Sequence, residues 1–249
     1  MGKRERLDKL LVERGLVQSR EEGQARILAG EVFVGDRSAA KAGSLIDSDA
    51  AIRLRGGAPP YVSRGGIKLE KALREFGVAV QDKVALDVGA STGGFTHCLL
   101  AFGARQVVAV DVGYGQLDWK LRNDPRVVVL EKKNIRFLEP EELPQAPQLA
   151  TIDVSFISLR LVLPRVRDLI APRGEVVALI KPQFEVGKGK VGKGGVVRDA
   201  GEHARVIEEI KAAAVAFGFA ALGVTESPLL GPKGNKEFFI YLRKADRAA

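Results

Sequence analysis

An α/β protein is the fold class this sequence predicts: a small N-terminal α+β module followed by a doubly wound, mostly parallel sheet. Three observations predict it. Short apolar runs separated by helical stretches recur from residue 84 onward, the pattern of a parallel sheet with crossover helices. The glycine-rich turn Gly89-Ala90-Ser91-Thr92-Gly93-Gly94 joins the first of these runs to a helix start. Ahead of that region Gly56-Gly57-Ala58-Pro59-Pro60 is too rich in glycine and proline for an element interior. The expected organisation is therefore a module over 1–55, a linker over 56–60 and a large domain over 61–249.

In the module, Leu7, Leu10 and Leu11 give residues 4–15 a helical stripe that stops at Gly15. Ser19 caps a second helix, with Glu22 as the capping-box acid, and Ala25, Ile27 and Leu28 are expected to face inward. Residues 31–36 and 50–54 read as short strands. In the large domain, Leu69, Ala72, Leu73 and Phe76 form the stripe of a helix stopped by Gly77. Lys68 falls in its first turn, where the helix dipole disfavours a cation, so a functional reason for it is expected. Strands are expected at 84–88, 106–110, 127–130, 149–153, 176–181 and 237–242, with helices at 156–171 and 202–217 among them. Asp87, Asp111, Asp153 and Lys181 stand at strand ends, and Glu237 opens the last strand. In doubly wound sheets ligands bind at the carboxyl ends of the strands.

The chain carries +8 over 249 residues with a pI near 9.6, which favours a polyanionic partner such as nucleic acid. The excess is spread, +2 in residues 1–55 and +6 beyond, so bulk charge does not choose the binding part. Cys98 stands alone and His97 and His203 are the only histidines, which argues against a disulfide, a zinc site or a Ser-His-Asp triad; no metal is expected. No apolar run reaches the length of a membrane span and no signal-peptide core follows the basic start, so a cytoplasmic location is expected.

Gly89 and Asp111 are separated by 22 residues, close to the spacing at which a dinucleotide-type fold sets an acid on a ribose diol. A nicotinamide fingerprint needs glycine where Ser91 stands, and a P-loop needs lysine where Phe95 stands. The pattern Asp87-Val88-Gly89-Ala90-Ser91-Thr92-Gly93-Gly94 resembles instead the first motif of S-adenosylmethionine (SAM) methyltransferases. The resemblance implies a Rossmann-like domain with SAM as cofactor. Gly89, Ser91, Gly93, Gly94 and Phe95 would line the methionine end beside Asp87, Asp111 would accept from the ribose, and Asn134 would face the adenine.

The order Lys68, Asp153, Lys181, Glu237 resembles the catalytic tetrad of FtsJ-type RNA ribose 2′-O-methyltransferases. Further stretches, among them Ser63-Arg64-Gly65, Asp111-Val112-Gly113-Tyr114-Gly115, Ser155-Phe156-Ile157-Ser158 and Lys181-Pro182-Gln183-Phe184-Glu185, resemble the TlyA family, also called haemolysin A. Residues 4–55 resemble the S4 RNA-binding domain, which implies phosphate contacts at Arg4, Arg6, Lys9, Arg20, Arg26 and Lys41. Without the resemblance, a solvated charged face explains those residues as well. Arg64 and the basic glycine loop with Lys188 and Lys190 are further expected RNA contacts. Tyr114, Trp119 and Phe184 are candidates for stacking on a flipped base, with core packing the commoner fate of aromatics.

The family methylates a cytidine 2′-hydroxyl in ribosomal RNA, so rRNA or a ribosomal subunit is the expected partner. The chain's short tail, ending at Ala249, favours the large subunit alone. Lys181 would orient the 2′-oxygen, Lys68 and Glu237 would place the ribose, and Asp153 would organise the lysines. Membrane lysis, implied by the haemolysin label, finds no amphipathic or membrane-spanning segment here. The competing reading is a non-catalytic RNA-binding or assembly factor, against which the presence of all four tetrad residues argues.

Overall fold

The computed structural model describes residues 4–17, 19–35, 37–39, 41–55, 60–187, 191–192 and 194–245. The chain forms two compact units, 1–62 and 63–249. Among the described residues no helix is long and apolar enough to cross a membrane.

The N-terminal unit runs β1 (Arg4–Arg6), α1 (Leu7–Glu13), α2 (Arg20–Leu28), β2 (Val32–Val34), β3 (Arg37–Ser38), β4 (Leu45–Asp47) and β5 (Ile52–Leu54). β1 pairs antiparallel with β4, and β2 pairs antiparallel with both β3 and β5. The helix expected from residue 4 starts only at Leu7, because Arg4–Arg6 are extended against Leu45–Asp47. Ser19 caps α2 as expected, its hydroxyl accepting from Glu22 N at 3.1 Å. The inward face differs from expectation. Ile27 is buried, but Ala25 is exposed and Leu28 is 88% exposed. Gly23 takes the inner position, since a Cβ there would touch Leu11 and Val17 at 3.4 Å. Leu7, Leu11, Val17, Ile27, Val32 and Leu54 make a core of six large side chains. So small a core leaves the unit dependent on its polar links.

The C-terminal unit runs α3 (Arg64–Phe76), β6 (Val84–Val88), α4 (Gly94–Ala101), β7 (Gln106–Val110), α5 (Trp119–Arg122), β8 (Val127–Leu130), β9 (Leu149–Ile152), α6 (Leu159–Leu169), β10 (Glu175–Ile180), α7 (Pro182–Glu185), α8 (Ala200–Ala216), β11 (Phe219–Glu226) and β12 (Phe238–Lys244). One seven-stranded sheet has the order β11-β12-β10-β9-β6-β7-β8. β8, β7, β6, β9 and β10 are parallel, and β12 is antiparallel to β10 and β11. Alternate residues face opposite sides. Leu86, Val88, Ala150, Ile152, Ala178 and Ile180 pack with α6 and α8. On the other face Phe95 of α4 meets Phe239, and Phe76 of α3 meets Tyr241. The expected parallel sheet is present, with an antiparallel β11–β12 pair added at one edge.

Candidate functional site

The site begins where β6, β7 and β9 end side by side. The register Val88↔Val110 and Val88↔Ile152 puts Gly89, Asp111 and Asp153 at one carboxyl edge. Gly89 has φ +83, and a Cβ on it would lie 2.5 Å from the Asp153 carbonyl oxygen. On Gly94 a Cβ would lie 2.2 Å from Ser63 Oγ and 3.0 Å from Gly66 N, so this glycine brings the start of α4 against the start of α3. Gly93, at φ +94, would drive a Cβ into Leu117 and Leu121. Sequence reasoning expects these glycines to bring backbone close to a ligand. Their missing side chains also allow close protein packing, and Gly89 and Gly94 both line the cavities described below.

Asp87, expected beside the cofactor, lies deeper than the cavities. Its side chain points into the α3/α4 face of the sheet and is fully buried, accepting from Thr96 Oγ1 at 2.6 Å and Thr151 Oγ1 at 3.1 Å. Burial pushes its carboxyl up to about 7; Asp153 adds to the rise and the two hydroxyls oppose it. Asp87 thus ties α4 and β9 together beneath the turn and lines neither of the cavities above it.

Two cavities share Gly89, Ser91 and Asp153 and so form one continuous cleft. The larger, of about 1200 Å³, is lined by Asp111, Val112, Asn134 and Ile135 and also by Phe156 and Phe184. The smaller, of about 380 Å³, is walled by Arg64, Lys68, Gly94, Phe95, Gly231 and Lys233. Asp111 is fixed for diol recognition: Oδ2 accepts from Ser91 N at 2.8 Å and Oδ1 from Gly113 N at 2.7 Å. Each oxygen keeps acceptor capacity for a hydroxyl. The Asn134 side-chain oxygen accepts from Arg136 N at 3.1 Å, leaving its NH₂ group as the donor for a ligand. An anchored carboxylate, an amide donor and the apolar Val112 and Ile135 suit an adenosine, so these residues fit SAM.

The four tetrad residues meet as two ion pairs. Lys68 Nζ lies 2.6 Å from Glu237 Oε2, and Lys181 Nζ lies 2.6 Å from Asp153 Oδ1. The second contact lacks hydrogen-bond alignment, while Lys181 Nζ donates to Ser155 Oγ at 2.9 Å. Glu237 reaches this edge because β12 is antiparallel: Ile180 pairs with Phe238, so the residue before Phe238 comes beside the residue after Ile180. Glu237 is 1% exposed and its Oε1 has no hydrogen-bond partner. Gly231 covers that oxygen, as a Cβ on it would fall 1.9 Å away. Lys68 is buried with its charge matched by Glu237, which accounts for a cation in that helix turn.

Sequence reasoning assigned no part in the site to Ser155 and Phe156. Phe156 is 91% exposed, adopts φ +63 and stacks at a tilt on Phe184, with ring centroids 5.0 Å apart. An aromatic residue in left-handed backbone is strained and must be held by its surroundings. Lys181 holds Ser155 on one side. On the other, Glu185 accepts from Ser158 Oγ at 2.6 Å and Leu159 N at 2.8 Å. Burial pushes the Glu185 carboxyl up. The helix expected from 156 starts at Leu159, because Phe156 leaves helical backbone and Ser158 caps α6. Of the aromatics singled out in the sequence, Phe184 is half-buried in the cleft wall. Tyr114 and Trp119 are exposed, beside Lys132 at 4.5 Å and Lys120 at 6.0 Å.

The expected RNA contacts are unequally placed. Arg4 pairs with Asp47, Lys9 with Glu5 and Glu13, and Arg26 with Glu22 and Glu31. Arg6 and Arg20 share Asp8, and Lys41 is exposed. Arg64 lines the smaller cavity and donates to the Leu230 carbonyl at 3.3 Å. Lys188 and Lys190 lie outside the described residues.

Comparison with known proteins places these features. Residues 61–244 match the FtsJ-like methyltransferase family and residues 5–52 match the S4 domain. The 16S/23S rRNA (cytidine-2′-O)-methyltransferase TlyA of Mycobacterium tuberculosis is 48% identical, over 100% of this chain and 93% of that protein. The 23S rRNA (cytidine-2′-O)-methyltransferase TlyA of Campylobacter jejuni is 37% identical, over 74% and 71%. A solved Streptococcus thermophilus structure described as a candidate hemolysin aligns with TM-score 0.78 at 44% identity, covering 99% of this chain and 90% of that one.

Proposed function

The chain belongs to the TlyA family of SAM-dependent methyltransferases, in which an S4 domain precedes an FtsJ-like domain, and on that premise we propose that it methylates a cytidine 2′-hydroxyl in ribosomal RNA. The observation that carries the proposal is the pairing of Lys181 with Asp153 and of Lys68 with Glu237, with Lys68 and Asp153 both on the wall of the cleft that holds Asp111. Large-subunit RNA is the target common to the M. tuberculosis and C. jejuni relatives, and we assign it here. A substrate of this kind puts the reaction in the cytoplasm.

When bound, SAM supplies an electrophilic methyl group on a sulfonium centre. Every other requirement falls on the protein. A ribose 2′-hydroxyl is a weak acid, so its oxygen must be aligned and the negative charge that grows on it must be stabilised. Lys181 Nζ, held by Asp153 and Ser155, donates to the 2′-oxygen and stabilises that charge as the proton leaves for solvent. Asp153 keeps Lys181 aimed. Glu237 holds Lys68 on the wall of the smaller cavity, where the lysine donates to a ribose hydroxyl and so places the sugar. Phe156, exposed on the wall of the larger cavity, provides the face on which the target base stacks once it is flipped out.

The test is transfer of labelled methyl from SAM to purified ribosomal subunits, followed by nuclease mapping. Label in 2′-O-methylcytidine of the large subunit is expected. No label on either subunit, with SAM binding intact by calorimetry, would overturn the reading in favour of a non-catalytic RNA-binding factor.

A further inference from the structure

The short helix α7 carries more than Lys181. Lys181 caps its start and Glu185 closes its end, so the two stand about one helical turn apart. Both side chains reach the loop between β9 and α6, whose residues Asp153 to Ser158 line the larger cavity. Lys181 Nζ donates to Ser155 Oγ at 2.9 Å, on the residue before Phe156. Glu185 Oε2 accepts from Ser158 Oγ at 2.6 Å and its Oε1 from Leu159 N at 2.8 Å, both beyond Phe156. Between these ties Phe184 lies against Phe156, with ring centroids 5.0 Å apart and planes inclined by 49°. One helical turn thus grips the loop on either side of its aromatic tip and at the tip itself.

Phe156 needs such a brace. Its ring is exposed, so burial does not offset the cost of its left-handed backbone, and the conformation persists only where the flanking residues fix it. On the Ser155 side Asp153 holds Lys181 as well, at 2.6 Å. On the other side the Ser158 hydroxyl accepts from Arg160 N at 3.1 Å, so α6 is capped by its own serine. A carboxylate is a costly second cap, because burial pushes the Glu185 carboxyl up in spite of both hydrogen bonds. Arg160 pairs with Glu209 at 2.6 Å. What Glu185 adds is a tie between the start of α6 and the element that carries Lys181.

We propose that Glu185 is a positioning residue for the target base, holding Phe156 in its outward conformation and at a set distance from Lys181. The role rests on the methyl-transfer reading and adds how stacking and transfer are kept in register. The base and the 2′-oxygen belong to one nucleotide, so the ring that stacks the one and the lysine that meets the other must be spaced to match. Tying both to the same helical turn sets that spacing. Glu185 lines neither cavity and acts through Phe156.

A double-mutant cycle between Glu185→Ala and Phe156→Ala is the test, because positioning and general support of the fold predict different sums. Fluorescence anisotropy of the full chain with a large-subunit rRNA fragment reads RNA affinity, and methyl transfer reads KM and kcat. Glu185→Ala alone should weaken RNA affinity and raise KM by about fivefold, somewhat less than loss of the stacking ring itself, with kcat and SAM affinity unchanged. In the Phe156→Ala background it should cost no more than about 1.5-fold, since no platform remains to be placed. A loss of about fivefold that persists in that background would overturn the proposal, because Glu185 would then act on α6 or the fold at large. Wild-type affinity and KM in a folded Glu185→Ala protein would overturn it too. Glu185→Gln keeps the shape and one acceptor without the charge; a loss of about twofold is expected, and the same cycle with this variant decides where alanine prevents folding. Labelling separates the positioning role from the reading it rests on. A wild-type chain in which the two effects on RNA affinity fail to add, yet which labels no cytidine, supports the role of Glu185 and contradicts the transfer reading.

Discussion

In the N-terminal unit two guanidiniums share one buried carboxylate and stay half exposed, whereas in the C-terminal unit each of two buried lysines meets its own acid beside a cleft. The difference matches two different uses of charge. Gripping a phosphate backbone takes surplus charge at the surface and no knowledge of sequence. Acting on one hydroxyl takes charge that is matched until the substrate arrives, because an unmatched buried charge costs several kcal/mol. The same residue types thus serve opposite ends, and the ratio of cation to acid together with burial tells them apart. Net charge, spread over both units, does not.

The largest effect on this comparison is expected from Glu237→Gln. It leaves Lys68 buried without its counter-charge and should destabilise the C-terminal unit by about 3 kcal/mol in urea unfolding. Adding Lys68→Met should recover most of that loss. A cost below about 0.5 kcal/mol would mean that the pair is solvent-screened, and the contrast with the Asp8 cluster would fail.

Asp87 gives the next effect, a pH dependence. Its folded carboxyl titrates at about 7, while an unfolded aspartate titrates near 4. The folded state therefore binds the extra proton between those values, so stability from this group is complete below about pH 4 and is lost as pH rises to about 7. Asp87→Asn should flatten that part of the stability profile measured by urea midpoint. An unchanged slope would show that Asp87 is ionised as it stands between Thr96 and Thr151.

Phe156→Ala should raise KM for RNA by about tenfold, through loss of one stacked base, with SAM affinity unchanged. Phe156→Gly should lose the same contact yet gain about 1 kcal/mol of stability, because glycine relieves the left-handed strain. A KM unaffected by both substitutions would remove Phe156 from the substrate site.

Much of this architecture was legible in the sequence, for a physical reason. Strands buried on both faces must be continuous apolar runs, and 84–88, 106–110 and 149–152 stand out as such, as does the half-buried edge strand at 127–130. Polar residues that end those runs fall at the carboxyl edge by topology alone, hence Asp111, Asp153 and Lys181. β11 escaped because Gly223 sits at a register shift that breaks its alternation. The strand at Arg4–Arg6 escaped because three charged residues carry no burial signal, and only pairing with β4 extends them. Individual roles were harder to see. A glycine-rich turn does not reveal that Gly89 lines the cleft and at the same time packs against the Asp153 carbonyl. Nor does a list of basic residues show which share an acid, since the partners of Arg6 and Arg20 are set by how α1 and α2 pack. Phe156 fell at the start of an expected helix, and only its left-handed backbone turns it outward.

The measurement that bears most directly on the matched-charge site is the single-turnover rate of methyl transfer for Lys181→Ala, with SAM and large-subunit RNA both saturating. The site as described predicts a rate at least about 100-fold below wild type, with SAM and RNA affinities within about twofold. A folded Lys181→Ala protein that transfers methyl at close to the wild-type rate would contradict it.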